Sequence, residues 1–141
     1  MIIRRAVPAD RKRLLTLYAA FLETDRFADM KHDSFLEIVE SKDHLVLVAE
    51  DDDRLMGFIT ASARLVVRYP HPIWQIDELY VDADSRGHGL GGKLIKEVEK
   101  LVRSRGGGGI YVQSGYQHEP AHTFYEHNGY EKRGHYFLKV L

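Results

Sequence analysis

The chain has 141 residues, a formal net charge of -1, 44% hydrophobic and 29% charged residues, a balance that predicts one globular domain over residues 1–141 and argues against disorder. No long basic run calls for a nucleic-acid or membrane partner, and the absence of cysteine excludes a disulfide, a thiol nucleophile and an acyl-cysteine intermediate. The opening MIIRRAVPADRKR interrupts its apolar stretch with charge too early for a signal peptide, and no run reaches the length of a membrane span, so a cytoplasmic location is expected.

Ile2, Ile3 and Val7 predict a short first strand. Pro8 and Asp10 open a helix whose apolar face carries Leu14, Leu17, Tyr18, Phe21 and Leu22. A second helix is predicted over residues 34–41, with Phe35, Ile38 and Val39 on one side and Asp33 as its cap. Residues 44–50 and 54–67 read as a hairpin around the acidic turn Asp51, Asp52 and Asp53. No further acid follows that triplet at calcium-loop spacing, so it reads as a solvated turn. Residues 68–72 (RYPHP) form an irregular connection.

Residues 73–81 are the next strand. A loop then leads to a helix from about 89 to 105 with Leu90, Leu94, Ile95, Val98, Leu101 and Val102 as its apolar stripe. Four consecutive glycines, 106–109, end it. A strand over 110–114, a short helix over 120–128 and a closing pair of strands around Gly134 in 130–141 complete the order β-α-α-β-β-β-α-β-α-β-β, an α+β class with a mixed sheet.

The chemistry concentrates in Arg86–Gly92, RGHGLGG, where a strand feeds a glycine-rich turn that opens a helix. Glycine lets the backbone reach positive φ and approach a ligand, and the free N–H groups of a helix start favour an anion such as a pyrophosphate. Gly87, Gly89 and Gly92 also satisfy G-x-G-x-x-G. A dinucleotide site, however, wants an acid on the next strand to hold the ribose. Residues 110–114 carry none, and Asp82–Ser85 intervene between strand and glycines.

The register Leu79-Tyr80-Val81, then Asp82–Ser85, then Arg86-Gly87-His88-Gly89-Leu90-Gly91 resembles motif A of the GNAT N-acetyltransferases. The downstream block Ala121-His122-Thr123-Phe124-Tyr125-Glu126-His127-Asn128-Gly129-Tyr130 is similar to that family's Ala-x-x-x-Tyr-x-x-x-Gly-Phe/Tyr signature. The resemblance covers nearly the whole chain. It implies a three-layer α/β/α fold with a central mixed, mostly antiparallel sheet, and direct transfer of an acetyl group from acetyl-CoA, the co-substrate, to a primary amine without a metal. It further implies that Leu79, Tyr80 and Val81 flank the pantetheine arm, and that Arg86, Gly87, His88, Gly89, Leu90, Gly91 and Gly92 receive the pyrophosphate. His118 and Phe124 would also touch the coenzyme, His118 standing where many members carry Asn. Tyr125 would be the general acid facing the sulfur. Strand alternation sends Asp77 and Glu78 to opposite faces, and the resemblance implies a water-linked base at one or other of these positions, with Glu78 preferred and Asp77 the second choice.

The acceptor, a small molecule or a peptide, would meet Tyr18, Phe21, Phe27, Trp74 and Tyr116, and the family analogy admits a homodimer through the closing strands. Two other classes remain open. One is an acyl-CoA-binding module without turnover. The other is a zinc hydrolase using His118, Glu119 and His122, which spell H-E-x-x-H. Pro120 suits a first helical turn and would leave His118 outside the helix, against the zinc pattern.

Overall fold

A computed structural model describes residues 1–22 and 28–141. The chain forms two compact units, Met1–Tyr111 and Val112–Leu141. The first unit begins with β1 (Ile2–Arg5), a 3-10 turn at Pro8–Asp10 and α1 (Arg11–Phe21). Next come α2 (Phe35–Glu40), β2 (His44–Asp51), β3 (Arg54–Arg64), β4 (Ile73–Val81) and α3 (Leu90–Ser104). β5 (Ile110–Val112) follows. The strands form a mixed five-stranded sheet in the order β1-β2-β3-β4-β5, with the first three pairings antiparallel.

Local chemistry explains most boundaries. Pro8 occupies the start of the first helical turn, where its missing N–H costs nothing. Asp33 lies one residue further out than expected of a cap: Ser34 is the cap position, and Asp33 Oδ1 accepts the N–H of Phe35 at 3.0 Å. The β2–β3 turn is tight, with Asp52 at φ 45° and Asp53 at φ 63°. Two left-handed residues match the twist of an antiparallel hairpin, and aspartate tolerates that region better than most side chains. β3 ends at Arg64, three residues before the predicted end, and Leu65 and Val67 lie exposed.

Alternation along the sheet builds two apolar faces. One holds Val46, Val48, Leu55 and Phe58 against Ala6, Leu14 and Leu17, with Tyr18, Phe21, Phe35, Ile38, Val39 and Tyr80 around them. The stripe Leu90, Leu94, Ile95, Val98 and Val102 of α3 is buried and packs against β2, β3 and β4. Helices therefore cover both faces, as expected for a three-layer arrangement.

The start of α1 is locked by charge. Asp10 is fully buried and accepts from Arg4 at 2.8 and 2.9 Å, from Arg13 at 2.5 Å and from the backbone N–H of Val7 at 2.8 Å. The same two arginines reach Glu50 at the end of β2 at 2.7 and 2.6 Å. The hydrogen bonds from Arg4 hold the Asp10 carboxyl well below the usual carboxylate range, against the opposing effect of burial.

The second unit holds α4 (Glu119–His127). Gly129, at φ 88°, supplies the left-handed residue that ends it, and the N–H of Tyr130 returns to the carbonyl of Tyr125 at 3.0 Å. The closing pair of strands predicted over 130–141 is not formed: these residues carry no helix or strand. Gly134 does not adopt positive φ, so no tight hairpin turn forms there. Tyr136, Phe137, Leu138, Val140 and Leu141 remain exposed, because strand propensity without a partner ladder does not make a strand. Among the described residues, no helix is long and apolar enough to cross a membrane.

Candidate functional site

β4 ends at Val81 and a 3-10 turn at Ala83–Ser85 redirects the chain. The N–H of Asp82 still pairs with the carbonyl of Met56 at 2.9 Å, so the loop leaves the sheet from an anchored point. Gly87 at φ 80° and Gly89 at φ 74° then turn the backbone into α3, for which Gly89 is the cap residue. A Cβ built on either glycine would meet nothing within 4 Å. These glycines therefore serve backbone conformation, and the space above them is open. Gly89 offers no side-chain cap, and the first N–H groups of α3 have no intrahelical acceptor. Leu90 is buried beneath the loop, whereas Gly87, His88 and Gly89 are exposed. The result is an open cradle of backbone donors at a helix N-terminus, and it fits a pyrophosphate.

Arg86 is engaged with the end of β4. Its Nε donates to the Val81 carbonyl at 2.9 Å and its guanidinium lies 5.5 Å from the centre of the Tyr80 ring. It staples the loop to the strand end. Lys93 is an exposed position on α3. At the other end of the loop Arg54 pairs with Asp82. Gly57 of β3 faces Val81, and a Cβ there would lie 2.7 Å from the Tyr80 carbonyl oxygen, so only glycine permits this approach to β4.

Further back along β4 the sheet is irregular. Thr60 pairs with Glu78 but Ala61 pairs with Ile76, which leaves Asp77 without a partner. This is a β-bulge, and it breaks the two-residue alternation locally. Regular alternation predicts Asp77 and Glu78 on opposite faces; both instead line one cavity of about 470 Å³, together with Tyr18, Thr60, Ala61, His44 and Asp33. Three residue steps, about 10 Å of strand, carry the chain from Glu78 to Val81.

The two carboxylates meet different surroundings. Glu78 Oε1 accepts from the Tyr18 hydroxyl at 2.7 Å and from Thr60 Oγ1 at 2.9 Å. Burial first, and then the charge of Glu78, push the Tyr18 phenol far upward, so it remains a donor. Asp77 keeps an open face, but the protein packed around its carboxyl pushes it above the usual carboxylate value despite Ser62, His44 and Gln75. On the far wall Arg11 pairs with Asp33, and His32 Nδ1 lies 2.8 Å from Asp29 Oδ2.

Of the aromatics expected around an acceptor, Tyr18 lines this cavity. Phe21 packs against Phe58 and Tyr80 instead. Trp74 is buried beside Gly107, with Arg105 over its ring. Phe27 lies outside the described residues. Tyr116 belongs to the second unit, where its exposed hydroxyl meets His135 Nδ1 at 2.6 Å. The Tyr18 and Thr60 hydroxyls as partners of Glu78 are not foreseeable from sequence, since 60 and 18 residues separate the pairs and no local pattern links them.

Within the second unit Tyr125 is half-buried, edge-on to Phe124 and Tyr130. Burial pushes its phenol upward, which keeps it protonated. His118 stands just outside α4 and is exposed, as Pro120 predicts. His122 lies one turn in, its Nε2 at 2.8 Å from the Gly115 carbonyl. Among the described residues no three of His, Cys, Asp or Glu gather as a metal site requires.

Known proteins share this fold and register. The model of the acetyltransferase (GNAT) family matches residues 11–130. A relative from Bacillus subtilis (strain 168), named uncharacterized N-acetyltransferase YhfO, is 27% identical over 146 residues, covering 99% of this chain and 98% of the relative. An aminoglycoside acetyltransferase, meta-AAC0020, from an uncultured soil metagenomic sample, solved with sisomicin, superposes with a TM-score of 0.84 at 22% identity, covering 99% of this chain and 95% of that one. Ribosomal-protein-alanine N-acetyltransferase from Brucella melitensis biovar Abortus 2308 superposes with a TM-score of 0.84 at 18% identity, covering 99% and 98% of the two chains.

Proposed function

Since the chain belongs to the acetyltransferase (GNAT) family, we propose that it binds acetyl-CoA in the Gly87–Gly92 cradle and transfers the acetyl group directly to a primary amine seated in the cavity beside Asp77 and Glu78. The observation that carries this reading is the cradle itself: two glycines held at positive φ, an uncapped helix start and open space above it, in the register of the family motif. Residues 11–130 take in parts of both units, which supports reading the chain as one functional domain.

When bound, the thioester supplies an activated acetyl carbon. The chain's own groups do the rest. Backbone N–H groups of the Arg86–Gly92 stretch hold the pyrophosphate. The edge of β4 at Leu79, Tyr80 and Val81 lies along the pantetheine arm, and His118 and Phe124 are assigned to the coenzyme by their register in the family motif. An amine arrives protonated at neutral pH and must lose a proton to attack, which the Asp77–Glu78 pair accepts. Tyr125, assigned by its place in the Ala121–Tyr130 block, returns a proton to the departing sulfur; a phenol kept protonated by burial suits that task. With no cysteine in the chain, no acyl-cysteine can form, which supports attack of the acceptor on the thioester itself.

Thermal unfolding with and without acetyl-CoA tests the cradle. Ligand at one hundred times its dissociation constant stabilises the native state by about 2.7 kcal/mol, so a rise in Tm is expected with acetyl-CoA and none with NAD. Free-thiol release in the presence of sisomicin, tyramine or an alanine-initiated peptide then separates a transferase from a module that only binds the coenzyme. Stabilisation by NAD and not by acetyl-CoA would overturn the proposal.

A further inference from the structure

We propose that Tyr18 and Thr60 are positioning residues that hold Glu78 as the fixed anion for the acceptor's ammonium group, while Asp77, brought to the same cavity by the bulge in β4, is the carboxylate that takes the proton. This division of labour rests on the transferase reading above, and it reverses the expected order in which Glu78 is the base and Asp77 the second choice.

The argument is one of lone pairs and access. A carboxylate oxygen offers two lone-pair sites, and Glu78 Oε1 meets one hydroxyl on each: Tyr18 at 2.7 Å from α1 and Thr60 at 2.9 Å from β3. Both donors are themselves fixed. The Tyr18 ring stacks on Phe58 with centroids 4.4 Å apart, and Thr60 is buried. Glu78 is thus tied to two elements and left with Oε2 for a ligand. A carboxylate immobilised in this way suits electrostatic recognition of a cation, because its orientation is set before the cation arrives.

Asp77 is placed differently. Ser62 and Gln75 are its side-chain donors, Gln75 Nε2 approaching Oδ1 only to 3.4 Å, and one face of the residue is open. The groups that face it across the cavity are Glu78 on its own strand, His44 on β2, Tyr18 and Arg11 on α1, and Asp29, His32 and Asp33 ahead of α2. Burial outweighs the Ser62 hydrogen bond and the influence of His44 and Gln75, and raises its titration above the usual carboxylate value, in the direction a base at neutral pH needs. Two neighbouring carboxylates in unlike surroundings are a common way for a site to separate a charge-holding role from a proton-moving one. In the step itself an ammonium N–H bond breaks and its proton passes to Asp77. The freed nitrogen lone pair forms the C–N bond as the C–S bond breaks; the sulfur leaves with the electron pair of that bond and takes a proton from Tyr125, and the nitrogen, still carrying one proton more than an amide, gives it up to restore the phenol.

The test is steady-state kinetics with acetyl-CoA and whichever of sisomicin, tyramine or the alanine-initiated peptide the wild type turns over. Tyr18→Phe preserves the stacked ring and removes one charge-assisted hydrogen bond, so acceptor KM should rise roughly tenfold. The acidic limb of the kcat/KM profile should remain. Thr60→Val should act in the same direction and Thr60→Ser should restore the wild-type KM. Asp77→Asn should abolish the acidic limb and lower kcat by about 100-fold or more. Loss of the limb in Glu78→Gln with its retention in Asp77→Asn would overturn the assignment, as would loss of the limb in Tyr18→Phe. If wild-type protein binds acetyl-CoA but releases no thiol with any of the three amines, the transferase reading itself fails and this inference with it.

Discussion

Replacing Gly89 by alanine isolates the physical basis of the cradle. Gly89 holds φ 74° at the start of α3, and an added Cβ would meet no protein atom within 4 Å. Steric conflict with the rest of the chain is therefore absent, and the whole cost is conformational. An L-residue in the left-handed region costs about 1–2 kcal/mol, and alanine returns about 0.5 kcal/mol by restricting the unfolded chain, leaving a net loss of about 1 kcal/mol. That loss can fall in two places. If the loop keeps its conformation, the free protein loses about 1 kcal/mol and Tm drops by about 4 °C, with acetyl-CoA affinity unchanged. If the loop relaxes, Tm holds and binding must restore the strained conformation, weakening affinity about fivefold. Thermal unfolding and titration calorimetry on the same variant measure both terms, and their sum should be about 1 kcal/mol. A variant with wild-type Tm and wild-type affinity would refute the argument that the left-handed conformation of Gly89 is part of the bound state.

Gly57→Ala should be worse for the protein and act on the neighbouring segment: its Cβ would press on the Tyr80 carbonyl at 2.7 Å, costing about 1–3 kcal/mol, seen as a lower denaturation midpoint. Asp10→Ala should remove about 3 kcal/mol by leaving Arg4 and Arg13 without their buried partner, the low end because both guanidinium groups reach solvent. The Asp10 carboxyl is depressed in the folded state, so its contribution is present above the unfolded carboxylate value near pH 4 and is lost as pH falls toward the folded one; urea midpoints should converge for wild type and variant in strong acid. Tyr125→Phe should lower kcat about 100-fold or more with acetyl-CoA KM little changed, and an unchanged kcat would remove the tyrosine from proton transfer.

Features set by neighbours in sequence were legible from sequence, and features set by distant partners were not. β4 was readable over its full length, and so were the glycine loop and the apolar stripe of α3, because period, glycine content and helix start all lie within one window. The bulge at Asp77 was hidden, since it is a property of the pairing between β3 and β4. Its consequence for the candidate site is large, because it puts two adjacent carboxylates in one cavity. The buried charge lock at Asp10 depends on Glu50, 46 residues beyond Arg4. Tyr18 stands out in the sequence for its ring, while its hydroxyl, which meets Glu78 across 60 residues, carries the more specific contact. The segment 130–141 shows the converse: its composition favours strands, but a strand needs a partner, and no ladder forms.

The central claim, direct acetyl transfer from acetyl-CoA to an amine, is tested most directly with coenzyme carrying a carbon-13-labelled acetyl group. Incubation of the protein with sisomicin, tyramine and an alanine-initiated peptide, followed by mass spectrometry, should show the label on the nitrogen of at least one amine, with an equivalent of free thiol and no labelled protein. Labelled protein on the path to product, or release of labelled acetate with every amine left unmodified, would contradict the account.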